Sequence, residues 1–214
     1  TRLQGDWSSD VCSSDLALKS NSYDSWKNLS NAMEFLYERT HDEDHFVQAN
    51  ECFNTAIQLS PLDASFWLEW ARFLAKSGKV TEDAKRLRLA VEKCKKAYEI
   101  DTSLPEILAC WGESLSLIGE YGEHIELIHE GNNKATEATE MDPSNPELFR
   151  ALGETLNSLG RYFEDADYHY QAVEKFQAGL SIDRSKHALW FAIGSTYTQV
   201  GKLLQDPEIG RAHV

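Results

Sequence analysis

Trp67, Trp70 and Leu74 fall at i, i+3 and i+7, and Leu108, Trp111 and Leu115 repeat that spacing. Such spacing puts the apolar residues on one face of a helix and leaves the polar ones on the other. Ala84, Leu87, Val91 and Cys94 share one face of a second helix further along. Between the two runs stands Gly78, followed by Gly119, Gly160 and Gly201 at intervals of 41 residues. Glycine reaches positive φ cheaply, so this column reads as the stop of the first helix. The second helix runs to an aspartate column, Asp101, Asp142 and Asp183. Polar turns then join one pair of helices to the next. In Asp142-Pro143-Ser144-Asn145-Pro146-Glu147, Asn145 suits a helix cap and Pro146 the first helical position. The pattern predicts helical hairpins with no strand.

The hairpins recur in fixed register. Gly112, Gly153 and Gly194 form a second glycine column, with Ala71 in the preceding slot. Large apolar residues recur as Trp26, Trp67, Leu108, Phe149 and Trp190, and three residues later as Leu29, Trp70, Trp111, Leu152 and Ile193. Small residues recur as Ala49, Ala90, Gly131 and Ala172, and as Ala56, Ala97, Ala138 and Gly179. The period divides 17–207 into units at 22–62, 63–103, 104–144 and 145–185, with a truncated fifth at 186–207.

These columns resemble the tetratricopeptide repeat (TPR) family. Phe149 to Leu156 and Trp190 to Tyr197 carry its aromatic-x-x-Leu-Gly core or a close variant. Ala172, Phe176 and Gly179 follow its second-helix pattern, and the Asp142-Pro143 turn is typical of it. The resemblance implies an all-α, right-handed solenoid, in which each hairpin buries its apolar face by stacking on its neighbours. The family unit is usually about 34 residues, whereas this one is 41. Seven more residues make about two helical turns, and they rotate a helix face by only about 20°. Because Phe46, Leu87 and Ile128 recur in the added segment, it reads as a longer second helix. Gly131-Asn132-Asn133 is a candidate kink in the third unit.

The two ends stand outside the pattern. Residues 6–16, DWSSDVCSSDL, resemble a translated sequencing-library adapter, and EIGRAHV at 208–214 resembles its complementary end. Residues 1–16 and 208–214 are therefore expected to be non-native, and the array to be a piece of a longer protein. The fifth unit keeps Trp190, Ile193 and Tyr197 on a face where a second helix would pack, so self-association or fraying through this C-terminal unit is expected.

Composition narrows the partner. Asp and Glu number 35 against 21 Lys and Arg, a net charge of −14, which disfavours nucleic acid and anionic membrane surfaces. Outside the adapter-like segment, Cys52, Cys94 and Cys110 are too widely spaced for a disulfide framework or a zinc motif. They read as small core residues in a reducing, cytoplasmic setting.

The TPR resemblance implies a concave groove on the first helices that grips an extended peptide or a helix. Helical geometry assigns to that face Asp24, Lys27, Asn31, Leu68, Arg72, Glu106, Ala109, Glu113, Arg150, Glu154, Phe191 and Ser195. The set is moderately acidic and favours a basic or amphipathic protein segment. One family version clamps a terminal carboxylate through Lys and Asn. Lys27 and Asn31 match its opening, but Glu69, Glu106 and Cys110 stand where it needs an amide and a basic pair, and like charges repel. His41 and His45 could share a helical turn as a zinc pair, but no third ligand accompanies them. His124 and His129 are five apart, the wrong relation for joint ligation. The tryptophans sit on core columns. No phosphate loop, nucleophile elbow or other cofactor or catalytic motif is present. A non-catalytic interaction scaffold is the reading these features favour. A regulatory array of a larger enzyme and a chaperone for secreted proteins are the alternatives.

Overall fold

The computed structural model describes residues 22–205. The adapter-like segments at 1–16 and 208–214 lie outside them. Among the described residues every regular element is an α-helix. The chain divides between Asp63 and Ala64 into two compact units.

The first unit holds α1 (Tyr23–Thr40) and α2 (Glu43–Leu59). Met33 and Tyr37 of α1 and Ala49, Phe53 and Ala56 of α2 are buried. The Tyr37 and Phe46 rings meet at 5.5 Å. Tyr23 donates a 2.6 Å hydrogen bond to Asp63 at the end of the unit.

The second unit holds α3 (Ala64–Thr81), α4 (Ala84–Ile100), α5 (Pro105–Gly122), α6 (Ile125–Met141), α7 (Pro146–Phe163), α8 (Ala166–Ile182) and α9 (His187–Gln205). Helices α3–α4, α5–α6 and α7–α8 are hairpins, and each first helix also packs on the next first helix. This is the all-α solenoid of hairpins that the columns predict. Its core follows them: Cys94, Ala97 and Ile107 cluster with Ala71, and Phe176, Ala172 and Leu152 with Leu189. The thiols of Cys52, Cys94 and Cys110 are buried. Burial, with Glu51 alongside, pushes Cys52 up to about 11. Lys93 stands 4.4 Å from the ring of the buried Trp70, and Lys95 and Lys134 stand 5.4 and 5.3 Å from that of the half-buried Trp111.

Each local signal has a physical partner. Asp83 and Asp165 accept from the backbone of Lys85 and Asp167 and start α4 and α8. Asn145 accepts from Glu147 N–H, with Pro146 first in α7. The aspartate column accepts from the N–H and hydroxyl of Ser103, Ser144 and Ser185, which tightens each turn between hairpins.

The first glycine column does not stop the helices. Gly78, Gly119 and Gly160 lie inside α3, α5 and α7, and no described glycine has positive φ. The left-handed residue comes four positions later, at His41, Glu82, Glu123 and Glu164, with φ of 52–56°. Asp83, His124 and Asp165 then donate back to the carbonyls of Gly78, Gly119 and Gly160 at 2.8–3.1 Å, a six-residue closing bond. The glycines serve close approach instead. A methyl group on Gly119 would stand 2.7 Å from Ile128, and on Gly78 2.9 Å from Leu87. The added residues of the 41-residue unit are thus shared: first helices continue past the glycine, and second helices are 17 residues long. Gly131-Asn132-Asn133 lies within the unbroken α6. Glycine there lets the backbones close, a Gly131 methyl meeting the Gly112 carbonyl and Ser116.

A candidate binding cavity on the first helices

Four first helices of the second unit, α3, α5, α7 and α9, enclose a cavity of about 910 Å³. Second helices contribute nothing to its lining, because their apolar faces are spent on the core. Arg72, Lys76 and Lys79 of α3 line one side, and Ala188, Phe191 and Ala192 of α9 the other. Phe191 is 79% exposed and forms an apolar lip.

Helix α7 organises the charges between them. Arg150 forks onto Glu113 of α5 at 2.9 and 3.3 Å and reaches Glu147 at 3.1 Å. Arg161 forks onto Glu120 of α5 at 2.6 and 2.8 Å and touches Gln199 of α9 at 3.4 Å. Glu154 receives Lys79 of α3 at 3.4 Å, and Glu106 accepts from Asn145 at 2.9 Å. Burial alone pushes the Glu113 carboxyl up, but Arg150, with Lys79 and Arg72 behind it, outweighs this and holds it below the usual range. Glu113 in turn raises Arg150 against the effect of burial. Such two-point arginine–carboxylate pairs fix helix spacing as well as charge.

Of the sequence-derived groove residues, Arg72, Glu106, Ala109, Glu113, Arg150, Glu154 and Phe191 line this cavity. Leu68 does not. It is 5% exposed and packs with Ile107 and Cys110, because α5 covers the early turns of α3. Ser195 is exposed on α9 outside the lining. Asp24, Lys27 and Asn31 lie on α1 of the first unit, with Lys27 6.0 Å from the Tyr23 ring. His45 meets the Thr40 hydroxyl at 2.9 Å. Among the described residues no three His, Cys, Asp or Glu are grouped to hold a metal, and no helix is long and apolar enough to cross a membrane.

Sequence reading missed Lys79 and Arg161, which come after the glycine column taken as the helix end. Their signal is the seven-residue step from Arg72 to Lys79 and from Glu154 to Arg161 along one helix face. With them and with Lys76 and Glu147, also absent from the sequence-derived set, the lining holds five arginines and lysines against four glutamates. It is balanced rather than acidic.

A polar network closes the wall behind α7. His169 of α8 is fully buried, its Nδ1 2.8 Å from Asn157 Oδ1. Asn157 donates to Thr196 of α9 at 2.9 Å, and Thr196 to the Ala192 carbonyl at 2.9 Å. With Asn157 Oδ1 accepting, the proton sits on Nδ1, and Nε2 has no partner.

These hairpins form an all-α array of repeated helical pairs. No protein-family model and no curated protein matches the chain. Similar solved structures include MamA, at 18% identity with 82% of this chain and 96% of that one covered and a TM-score of 0.45. Another is YrrB, described as a TPR protein with an unusual peptide-binding site, at 19% identity, 83% and 77% coverage and a TM-score of 0.45. What assigns the fold is the chain's own geometry, hairpins returning every 41 residues with the same contacts.

Proposed function

We propose that the protein is a non-catalytic interaction scaffold that holds a segment of a partner protein in the cavity of α3, α5, α7 and α9. The observation that carries this reading is the cavity itself, built by first helices alone and edged by an exposed Phe191. Its volume falls in the range of roughly 300–1,000 Å³ typical of ligand clefts. The hydroxyls of Ser114 and Thr155 on its wall are spent on backbone carbonyls, which fits holding rather than reacting. The glutamates of the lining already have arginine, lysine or asparagine partners. An amphipathic segment therefore fits better than a plainly basic one, with its apolar side chains against Phe191 and an acidic one over Arg72.

Screening an array of amphipathic peptides against the protein tests this. Peptides that bind should lose at least about tenfold in affinity to Phe191→Glu and to Arg72→Glu, while both variants melt as the wild type does. Binding that ignores both substitutions would overturn the proposal.

A further inference from the structure

Among the described residues nothing covers one face of α9, and the pattern on that face is known from the other hairpins. In α7–α8, rings of the second helix lie against glycines of the first. Phe176 lies against Gly153 and His169 against Gly160. The seven-residue step from Gly153 to Gly160 is matched by the step from Phe176 back to His169, as antiparallel helices require. On α9, Gly194 and Gly201 have nothing within 4 Å of where a methyl group would stand. On the same face, Trp190 and Tyr197 are 55% and 49% exposed. Here too the step from Gly194 to Gly201 is matched by the step from Tyr197 back to Trp190. One helix carries both halves of the pairing.

We propose that two copies of this chain associate through α9, antiparallel, with Tyr197 of each seated on Gly194 of the other and Trp190 on Gly201. The contact is self-complementary, as a two-fold interface must be. Charge permits it: α9 carries Lys202 and no carboxylate, in a chain of net charge −14 whose remoter charges are screened beyond about 8 Å at physiological salt. The Trp190 indole is already held by a 3.1 Å hydrogen bond to the Arg184 carbonyl, so little order is lost on docking. An aromatic side chain buries about 150–250 Å², so two half-exposed rings and Leu204 offer each copy only a few hundred Å². That lies below the roughly 1,200 Å² of stable interfaces, and the pair is weak and concentration-dependent.

Sedimentation of the full chain at rising concentration, up to about 1 mM, tests the proposal. The average mass should climb from one chain toward two. Tyr197→Glu and Gly194→Tyr should each raise the half-association concentration at least about tenfold while the chain keeps its helical circular-dichroism spectrum. The double variant Gly194→Tyr with Tyr197→Gly restores each glycine–ring pair with the roles exchanged, and should regain association. A wild-type chain that stays monomeric throughout, a Tyr197→Glu variant that associates normally, or a double variant no better than Gly194→Tyr alone would each overturn it.

Discussion

Gly160 and His169 meet so closely that a methyl group on the glycine would stand 2.8 Å from the imidazole. The ring is fully buried and held through Nδ1, so it has nowhere to move. Gly160→Ala should therefore destabilise the protein by about 1–3 kcal/mol, the range for overpacking. Gly194→Ala, in the matching column of α9 with open space around it, should instead stabilise by about 0.5–1 kcal/mol, the ordinary helical gain over glycine. Thermal melts of the two variants check the contrast, and equal shifts in one direction would contradict it.

His169 also sets a pH response. Burial, reinforced by the facing Arg161, lowers its pKa to about 4, against the opposing pull of Asp165 and Glu120. Unfolded, it titrates near 6.5, so between these values the unfolded chain binds more protons. The stability tied to a neutral His169 is fully present above 6.5 and is lost as pH falls toward 4, amounting to about 3 kcal/mol. His169→Leu, which copies the residue at the equivalent Leu87, should remove this slope. Urea titrations across the window measure it, and an unchanged slope in the variant would refute the assignment.

The Arg150–Glu113 pair joins α7 to α5 with both side chains about one quarter exposed. Removing either partner leaves a partly desolvated charge, so Glu113→Ala should cost about 1–2 kcal/mol, less than for a fully buried pair. A double-mutant cycle with Arg150→Ala should recover a coupling of about 1 kcal/mol. Because the Glu113 pKa is depressed, this stability is present above the usual carboxylate range and is lost as pH falls below it. Additive single effects would show that the fork contributes nothing.

Helix content, the 41-residue period, the Asn145 and Pro146 start of α7 and the buried small-residue columns were legible in the residues alone. They depend on local chemistry, either the spacing of apolar side chains along one helix or a side chain bonding a backbone group two positions away. The large apolar column, by contrast, is buried at Leu108, only half-buried at Trp67 and Phe149, and exposed at Trp190. The glycines were legible as columns but not in their work. A glycine that ends a helix and one that admits a neighbouring ring look alike in sequence, and only packing tells Gly160 beside His169 from a turn. The same holds for Leu68, which lies on the predicted face yet is covered by α5. It holds too for the charges of the cavity wall, where Arg161 finds Glu120 from one repeat earlier and Lys79 finds Glu154 across 75 residues. Periodicity specifies which face of each helix is apolar, but the distance between two such faces is set by the side chains that interlock there, and that distance decides which polar residues meet.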